Sequence, residues 1–184
     1  DRRLVLGDIN SRLLELERIR QWERNPDRYS GGVTGSIFLI MARTYAPAEQ
    51  RLKSVIAREK QIPGVFASAR QNLKDVPPIY AEIAIEQIPG LIGFFKSDVP
   101  EAFKEVKDDK LLKEFQTVNQ TVMDSLQQYQ EFLIKRIKPK ANGDFRIGAD
   151  RYREKLLYDE AVDLPLERLL EIGMADLRRN QQSF

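Results

Sequence analysis

The most apolar stretch of the chain, residues 77–97, constrains the fold more than any other. It reads PPIYAEIAIEQIPGLIGFFKS, and its large apolar side chains point in nearly every direction around a helix. A helix that is hydrophobic almost all round packs inside a protein, with other helices around it. Pro89 and Gly90 fall in its middle. Because a proline removes one backbone donor and crowds the carbonyl of Ile85, we expect a kink or a break there.

The rest of the chain also shows helical spacing of apolar residues, and no region has the strand period of two over a useful length. The longest stripe spans residues 110–137, can be capped by Asp108 or Asp109, and repeats every eleven residues, which favours a straight helix. We expect an all-α array of about seven to eight helices, forming a single domain over residues 1–184. Several helices should be interrupted by Pro or Gly, and one should be a long straight strut.

The segment 23–35, ERNPDRYSGGVTG, is dense in turn formers, and we predict a loop there. It differs from a phosphate loop, because Gly35 stands where that motif needs a Lys before Ser36. The simplest interpretation is a Gly-rich loop entering a helix that Thr34 or Ser36 caps. The alternative is an anion or a substrate carboxylate bound at that helix start.

Glu82 and Glu86 lie four residues apart, on one face of the central apolar helix. Two carboxylates at this spacing can share a metal ion or a proton. The simpler interpretation is that the two carboxylates form the one solvent-exposed stripe of the helix or pair with cationic side chains of a neighbouring helix. We favour the simpler interpretation, because the Glu-x-x-His motifs of di-metal bundles require His, which this chain lacks.

The composition excludes several classes of function. The chain has no His and no Cys, so Ser-His-Asp and Cys-His catalysis, imidazole zinc sites and disulfides are absent from it. Its 30 Lys and Arg residues are interspersed with 28 Asp and Glu, for a net charge of +2, which argues against nucleic acid as a partner. No run of 18 apolar residues exists, so we expect no membrane span. We predict no catalytic residue and no metal ligand in this chain.

The ends of the sequence suggest a longer polypeptide. Position 1 is Asp rather than Met, and the last residues still have helical character without a capping Gly or Asn. We expect a fragment whose signal segment, if it has one, lies outside the sequence, so the compartment stays open.

Three blocks resemble one bacterial family. They are residues 29–43 (YSGGVTGSIFLIMAR), 83–95 (IAIEQIPGLIGFF) and 148–180 (GADRYREKLLYDEAVDLPLERLLEIGMADLRRN). Together they are similar to the N-terminal helical part of the family called domain of unknown function 885. That resemblance implies a zincin-like parent protein with an H-E-x-x-H motif beyond this sequence, where two His would bind zinc and the Glu would act as general base. The resemblance therefore implies zinc in the parent and no cofactor here.

Five residues are candidates for substrate contact. Tyr29, Gly31 and Gly32 belong to the segment expected to offer backbone donors at a helix start. Tyr152 and Lys155 have side chains that can hydrogen-bond a peptide carbonyl or carboxylate.

Three functions follow from these expectations. The leading one is a non-catalytic helical N-terminal portion of a zinc-metallopeptidase-like protein, which walls a substrate cleft and has the C-terminal remainder of its own protein and a peptide substrate as partners. The second is a self-contained helical binding or scaffold module without an enzymatic role, with an apolar groove at the Pro89 break. The third and weakest is an enzyme that uses Glu82 and Glu86 on a metal.

Overall fold

A computed structural model describes residues 2–183 of the chain. In these residues the protein is all-α without a strand, which confirms the predicted fold class. Eight of its α-helices have eleven or more residues, and two are short. The α-helices are α1 (Arg2–Leu13), α2 (Gln21–Arg24), α3 (Asp27–Ala42), α4 (Ala48–Glu59), α5 (Ile62–Asn72), α6 (Pro78–Gly93), α7 (Val99–Ala102), α8 (Asp109–Phe132), α9 (Ala149–Glu160) and α10 (Leu166–Gln182).

The chain divides into two compact units. One, here called the core unit, comprises residues 22–145, and the other, the terminal unit, comprises the described residues of 1–21 and 146–184. Three π-helical turns continue α-helices directly, at Leu14–Ile19 after α1, Phe94–Asp98 after α6 and Leu133–Ile137 after α8. The expectation of a single domain over the whole chain stays a prediction, and each unit is described by itself.

Helix α8 is the centre of the core unit and packs against α4, α5 and α6. At 1.5 Å per residue it is about 36 Å long. The Asp108 side chain caps it by accepting hydrogen bonds from the backbone N–H groups of Lys110 and Leu111, at 3.0 Å each. The Tyr129 ring stacks on Phe66 of α5 with centroids 4.7 Å apart. The buried apolar side chains of α8 belong to the predicted stripe, namely Leu111, Phe115, Val122, Leu126 and Tyr129, continued by Leu133 in the π-helical turn.

Helix α6 does not break at Pro89 but continues to Gly93, whereas the alternative expectation of a kink stays a prediction. A proline inside a helix leaves the carbonyl four residues earlier without its usual donor. Here that carbonyl belongs to Ile85, and the side-chain amide of Gln130 from α8 donates to it at 3.0 Å. The neighbouring helix thus replaces the missing backbone hydrogen bond.

The expected all-round burial of the central stretch is also incorrect. Ile79 and Ile83 are 45% and 38% exposed, whereas the fully buried positions of α6 are Ala81, Ala84 and Ile88. Two of these three buried residues are small, so the backbone of a neighbouring helix can lie close to this face. Apolar content alone could not indicate which side faces the core.

The predicted loop at 23–35 is wrong, because α3 begins at Asp27 and runs through all three glycines. Four of its residues, Ser30, Val33, Ile37 and Ile40, are buried at intervals of three, four and three, which is one helical face. This burial outweighs the helix-breaking tendency of glycine, which costs about 1 kcal/mol per residue.

Thr34 and Ser36 are not caps but donate back to the carbonyls of Ser30 and Val33, at 3.0 and 2.7 Å. At the actual start of α3, the Asn25 side chain accepts from the Asp27 N–H at 3.0 Å.

A close backbone approach fixes the end of the core unit. The N–H of Gly143 donates to the carbonyl of Val76 at 3.2 Å. A Cβ at Gly143 would lie 2.1 Å from the carbonyl oxygen of Asp75, a distance that no side chain tolerates. Asp75 itself has a left-handed φ of 51°. Glycine is therefore required at position 143 for packing rather than for its own dihedral angles.

In the terminal unit, polar contacts join α9 to the π-helical turn that follows α1. The Lys155 ammonium lies 2.7 Å from Asp159 and 3.3 Å from Glu15, and Arg18 pairs with Glu154. Among its described residues only Leu14 and Ile19 are buried hydrophobics.

Apolar side chains of the terminal unit are left on its surface. In α1, Leu6, Ile9 and Leu13 are each nearly half exposed. In α10, Leu170 is 67% exposed and Leu177 is 49% exposed. About half of the area of these apolar side chains therefore stays open to solvent.

No helix in the described part of the chain is long and apolar enough to cross a membrane.

Candidate functional site

One groove of the core unit lies between α3, α4 and α5. Its volume is about 290 Å³, at the small end of the range for ligand sites. Val33, Ile62 and Val65 form an apolar floor. The complete lining is Arg28, Tyr29, Gly32, Val33, Ser36, Arg58, Gln61, Ile62 and Val65.

Helical spacing places part of α3 along this groove. Arg28, Gly32 and Ser36 follow one another at intervals of four, so they lie in a row on one side of the helix. A Cβ built at Gly32 meets nothing within 4 Å, so the groove is open at this point because no side chain fills it. Gly32, which suggested a loop in the sequence, therefore lies in a helix and leaves an open space beside it.

The charge of the groove is one-sided. Two of its nine lining residues are arginines and none is acidic. Arg58 is exposed, and its guanidinium donates to the backbone carbonyl of Ser36 at 3.4 Å, which directs it across from α4 to α3. Arg28 stands at the α3 side of the same groove.

Tyr29 has a fixed hydroxyl. It donates to the backbone carbonyl of Trp22 at 2.5 Å and accepts from the side-chain amide of Asn72 at 3.2 Å. Because both bonds are internal, the ring of Tyr29 is available as a wall of the groove, while its hydroxyl is engaged elsewhere.

The other glycine candidate differs from Gly32. A Cβ at Gly31 would lie 3.3 Å from a carboxylate oxygen of Asp27, so that side chain covers this position. Substrate contact at Gly31 therefore stays a prediction, and the open space is at Gly32.

Tyr152 and Lys155 lie on α9, in the terminal unit, and not with the other three candidates on α3. Tyr152 is 45% exposed. Lys155 is paired with Asp159 and Glu15, and the hydrogen bond to Asp159 is the main reason that its pKa is raised above the ordinary lysine value. Lys155 therefore stays a cation within an ion-pair network. Substrate contact by Tyr152 and Lys155 stays a prediction.

A larger cleft of about 620 Å³ lies within the terminal unit, between α1 and α9. Its lining mixes charges of both signs, including Arg3, Asp8 and Asp159. Ser11 and Lys155 both bind Asp159. The Asp159 carboxylate of this cleft is therefore already paired with a cation.

Glu82 and Glu86 are both exposed on α6, as the simpler interpretation predicted. In the described part of the chain, no group of three or more His, Cys, Asp or Glu side chains is arranged to hold a metal ion.

Sequence reasoning missed Arg28, Arg58 and Gln61. Arg58 and Gln61 lie at the α4–α5 junction, where the sequence shows only an ordinary polar face. Their approach to α3 depends on tertiary packing, for which no local signal existed.

Comparison with known proteins places the chain in a family. The model of a family described as bacterial protein of unknown function, DUF885, matches residues 1–184. The chain belongs to the DUF885 family. A solved structure of a candidate lipoprotein of unknown function from Shewanella oneidensis is similar over 97% of this chain, at 25% identity and a TM-score of 0.82. This DUF885 chain spans 33% of the length of that protein. No curated protein matches it.

Proposed function

We propose that this chain is the non-catalytic helical N-terminal portion of a longer DUF885 protein resembling zinc metallopeptidases, and that it walls the substrate cleft. The observation that carries the proposal is the family match over all 184 residues, together with a solved relative about three times as long. The exposed apolar faces of α1 and α10 supply surface against which the remainder of such a protein can pack.

Zinc does not fit the residues of this chain. It has no His and no Cys, and its described residues contain no cluster of three metal-binding side chains. Zinc in the parent protein would therefore be bound entirely by residues outside this sequence. The part proposed for this chain is positional: its helices would orient substrate and exclude water.

The proposal is tested first on the native protein. Peptide mapping by mass spectrometry should recover sequence beyond residue 184 that contains H-E-x-x-H, and metal analysis of the full-length protein should give about one zinc per chain. Hydrolysis of a mixed peptide library should then require that zinc. A native polypeptide that ends at residue 184 would remove this function and leave the self-contained binding module in its place.

A second experiment tests the proposed packing surface of α10. Replacing Leu170 and Leu177 by Gln should reduce self-association of the isolated 184-residue chain, measured by light scattering. In the full-length protein each change should cost about 1 kcal/mol of stability, since Leu170 is 67% and Leu177 is 49% exposed and docking would bury the rest. Arg178→Gln on the same helix is the control. Equal behaviour of all three variants in both proteins would show that α10 packs against nothing.

We also propose that the parent is exported, because the solved relative is described as a candidate lipoprotein. Cell fractionation tests this directly: recovery of the native protein in the envelope fraction supports export, and recovery in the cytosol contradicts it.

A further inference from the structure

We propose that the solvent-facing side of α3 receives an α-helix from the part of the parent protein that lies beyond this sequence. Gly35 and Ala42 form the floor of the contact, and Phe38 and Leu39 form its walls. The inference rests on the proposed function, because it names the face of the core unit on which the remainder packs. The apolar faces of α1 and α10 are separate surfaces, so the cleft-wall proposal does not require this contact.

Helix α3 has two faces with the spacing of a packed helix. The first is the face described above, which is buried in the core unit. A second set of residues follows at intervals of four, three and four, namely Gly31, Gly35, Phe38 and Ala42. Residues at this spacing share one side of a helix and form the seam along which a second helix packs. The sequence of α3 thus provides for two packing partners on two sides.

The second face is open to solvent in the described part of the chain. Gly35 and Ala42 are exposed, and the side chains of Phe38 and Leu39 are 54% and 52% exposed. Large apolar side chains that are adjacent and half exposed would gain from removal from water.

Charge is also missing from this face. No charged residue occurs between Arg28 and Arg43. A surface helix carries polar side chains opposite its buried stripe, as α8 does with Lys113, Gln116 and Gln120. A helix that is apolar on opposite sides is instead typical of a protein interior. We therefore expect α3 to be an interior helix of the parent protein.

Small residues on this face allow a close contact. A Cβ built at Gly35 meets nothing within 4 Å in this chain. Helical spacing places Gly35 and Ala42 seven residues apart in one row, with Phe38 on one flank and Leu39 on the other. A bulky apolar side chain of a second helix can insert between these flanks as a knob into a hole.

The length of the parent protein identifies the occupant. The solved relative is about three times as long as this chain, so a large polypeptide is available to pack here. A second copy of the chain could bury the same face. A helix joined through the polypeptide is favoured over a second copy, because covalent linkage gives it a much higher effective concentration.

Thiol labelling of the full-length protein tests the contact, since this chain has no Cys of its own. Ala42→Cys puts a thiol on the floor of the contact, and Gln116→Cys puts one on the exposed side of α8 as the control. In the native protein a maleimide should label position 42 about 100-fold more slowly than position 116, because labelling requires local opening. In urea the two rates should be equal. Mass spectrometry of the labelled peptides separates these positions from any Cys in the remainder.

A substitution at Gly35 distinguishes the contact from the stability of α3. Because a Cβ at this position meets nothing in the chain, Gly35→Leu should leave the core unit folded, which circular dichroism melts verify. In the Ala42→Cys protein it should raise the labelling rate about tenfold, since its side chain overpacks the contact. Gly64→Leu, where a Cβ also meets nothing within 4 Å, is the matched control and should leave the rate unchanged.

Photo-cross-linking identifies the occupant directly. Phe38→p-benzoylphenylalanine should cross-link to a peptide from beyond residue 184 of the same polypeptide. A cross-link to a second copy, or equal labelling of positions 42 and 116 in the native protein, would overturn the inference. Equal labelling in a protein that does contain the remainder contradicts the α3 contact alone. A native polypeptide that ends at residue 184 would remove the proposed function as well.

Discussion

Glu59 is the most exceptional ionisable group of the chain, and its replacement gives the sharpest prediction. It lies at the end of α4, its side chain is fully buried, and neither carboxylate oxygen has a hydrogen-bond partner in the described protein. A buried carboxylate without a partner disfavours its charged form. Burial raises the pKa of Glu59 from 4.5 to about 8.

The direction of the pH effect follows from this shift. Because the folded state holds a proton that the unfolded state releases above pH 4.5, Glu59 reduces stability as pH rises from 4.5 to about 8. Below pH 4.5 Glu59 is protonated in both the folded and the unfolded state, so it costs no stability. Above about pH 8 it is ionised in both states, so the loss of stability no longer changes with pH. At about 1.4 kcal/mol per pKa unit, the loss is about 3 kcal/mol at pH 7 and about 5 kcal/mol at pH 9.

The assay is urea unfolding of wild type and Glu59→Gln at pH 5, 7 and 9. The chain suits it, because it has no His and no Cys that would titrate across this window. The free energy of unfolding of wild type should fall with pH, while that of Glu59→Gln should stay nearly flat. Glu49→Gln, exposed on the same helix, is the control and should follow wild type. Parallel pH profiles for wild type and Glu59→Gln would refute the reasoning.

Three further stability predictions follow from backbone contacts and are checked by thermal or urea unfolding. Gln130→Leu should lower the free energy of unfolding by about 1 kcal/mol in wild type but by little in a Pro89→Ala background, because the alanine N–H then donates to the Ile85 carbonyl. Equal losses in the two backgrounds would contradict the view that Gln130 replaces the missing backbone hydrogen bond. Gly143→Ala should cost about 3 kcal/mol by overpacking, whereas the unobstructed Gly64→Ala should not destabilise. Asp108→Ala should cost about 1 kcal/mol as a lost cap, and an unchanged midpoint would argue against capping.

The fold class was predictable because long amphipathic stripes leave little freedom. The apolar stripe of α8 from Leu111 to Leu133 is largely buried as predicted, and its cap is Asp108, one of the two residues that the sequence offered for this role. These features depend on local periodicity and on a side chain reaching its own helix. Both can be read from consecutive residues.

Features that depend on a partner helix could not be predicted. The continuity of α6 through Pro89 relies on Gln130, which is 41 residues away in sequence and belongs to another helix. The same holds for its buried face, where Ala84 is covered while Ile83 is not. In both cases the deciding contact is tertiary, and intrinsic propensity is a weak guide when packing opposes it.

The candidate groove was hidden by the same error that turned α3 into a loop. In a loop, Arg28, Gly32 and Ser36 have no fixed relation, and the glycines suggest backbone donors for an anion or a substrate carboxylate. In a helix they share one side, and the glycine becomes a gap beside a cation. The groove thus exists only because buried Val33 and its neighbours on that face force the glycine-rich segment into a helix. A chain that kept those apolar positions but carried a large side chain at position 32 would keep the fold and close the groove, so the helix and the groove can be separated by substitution at one residue.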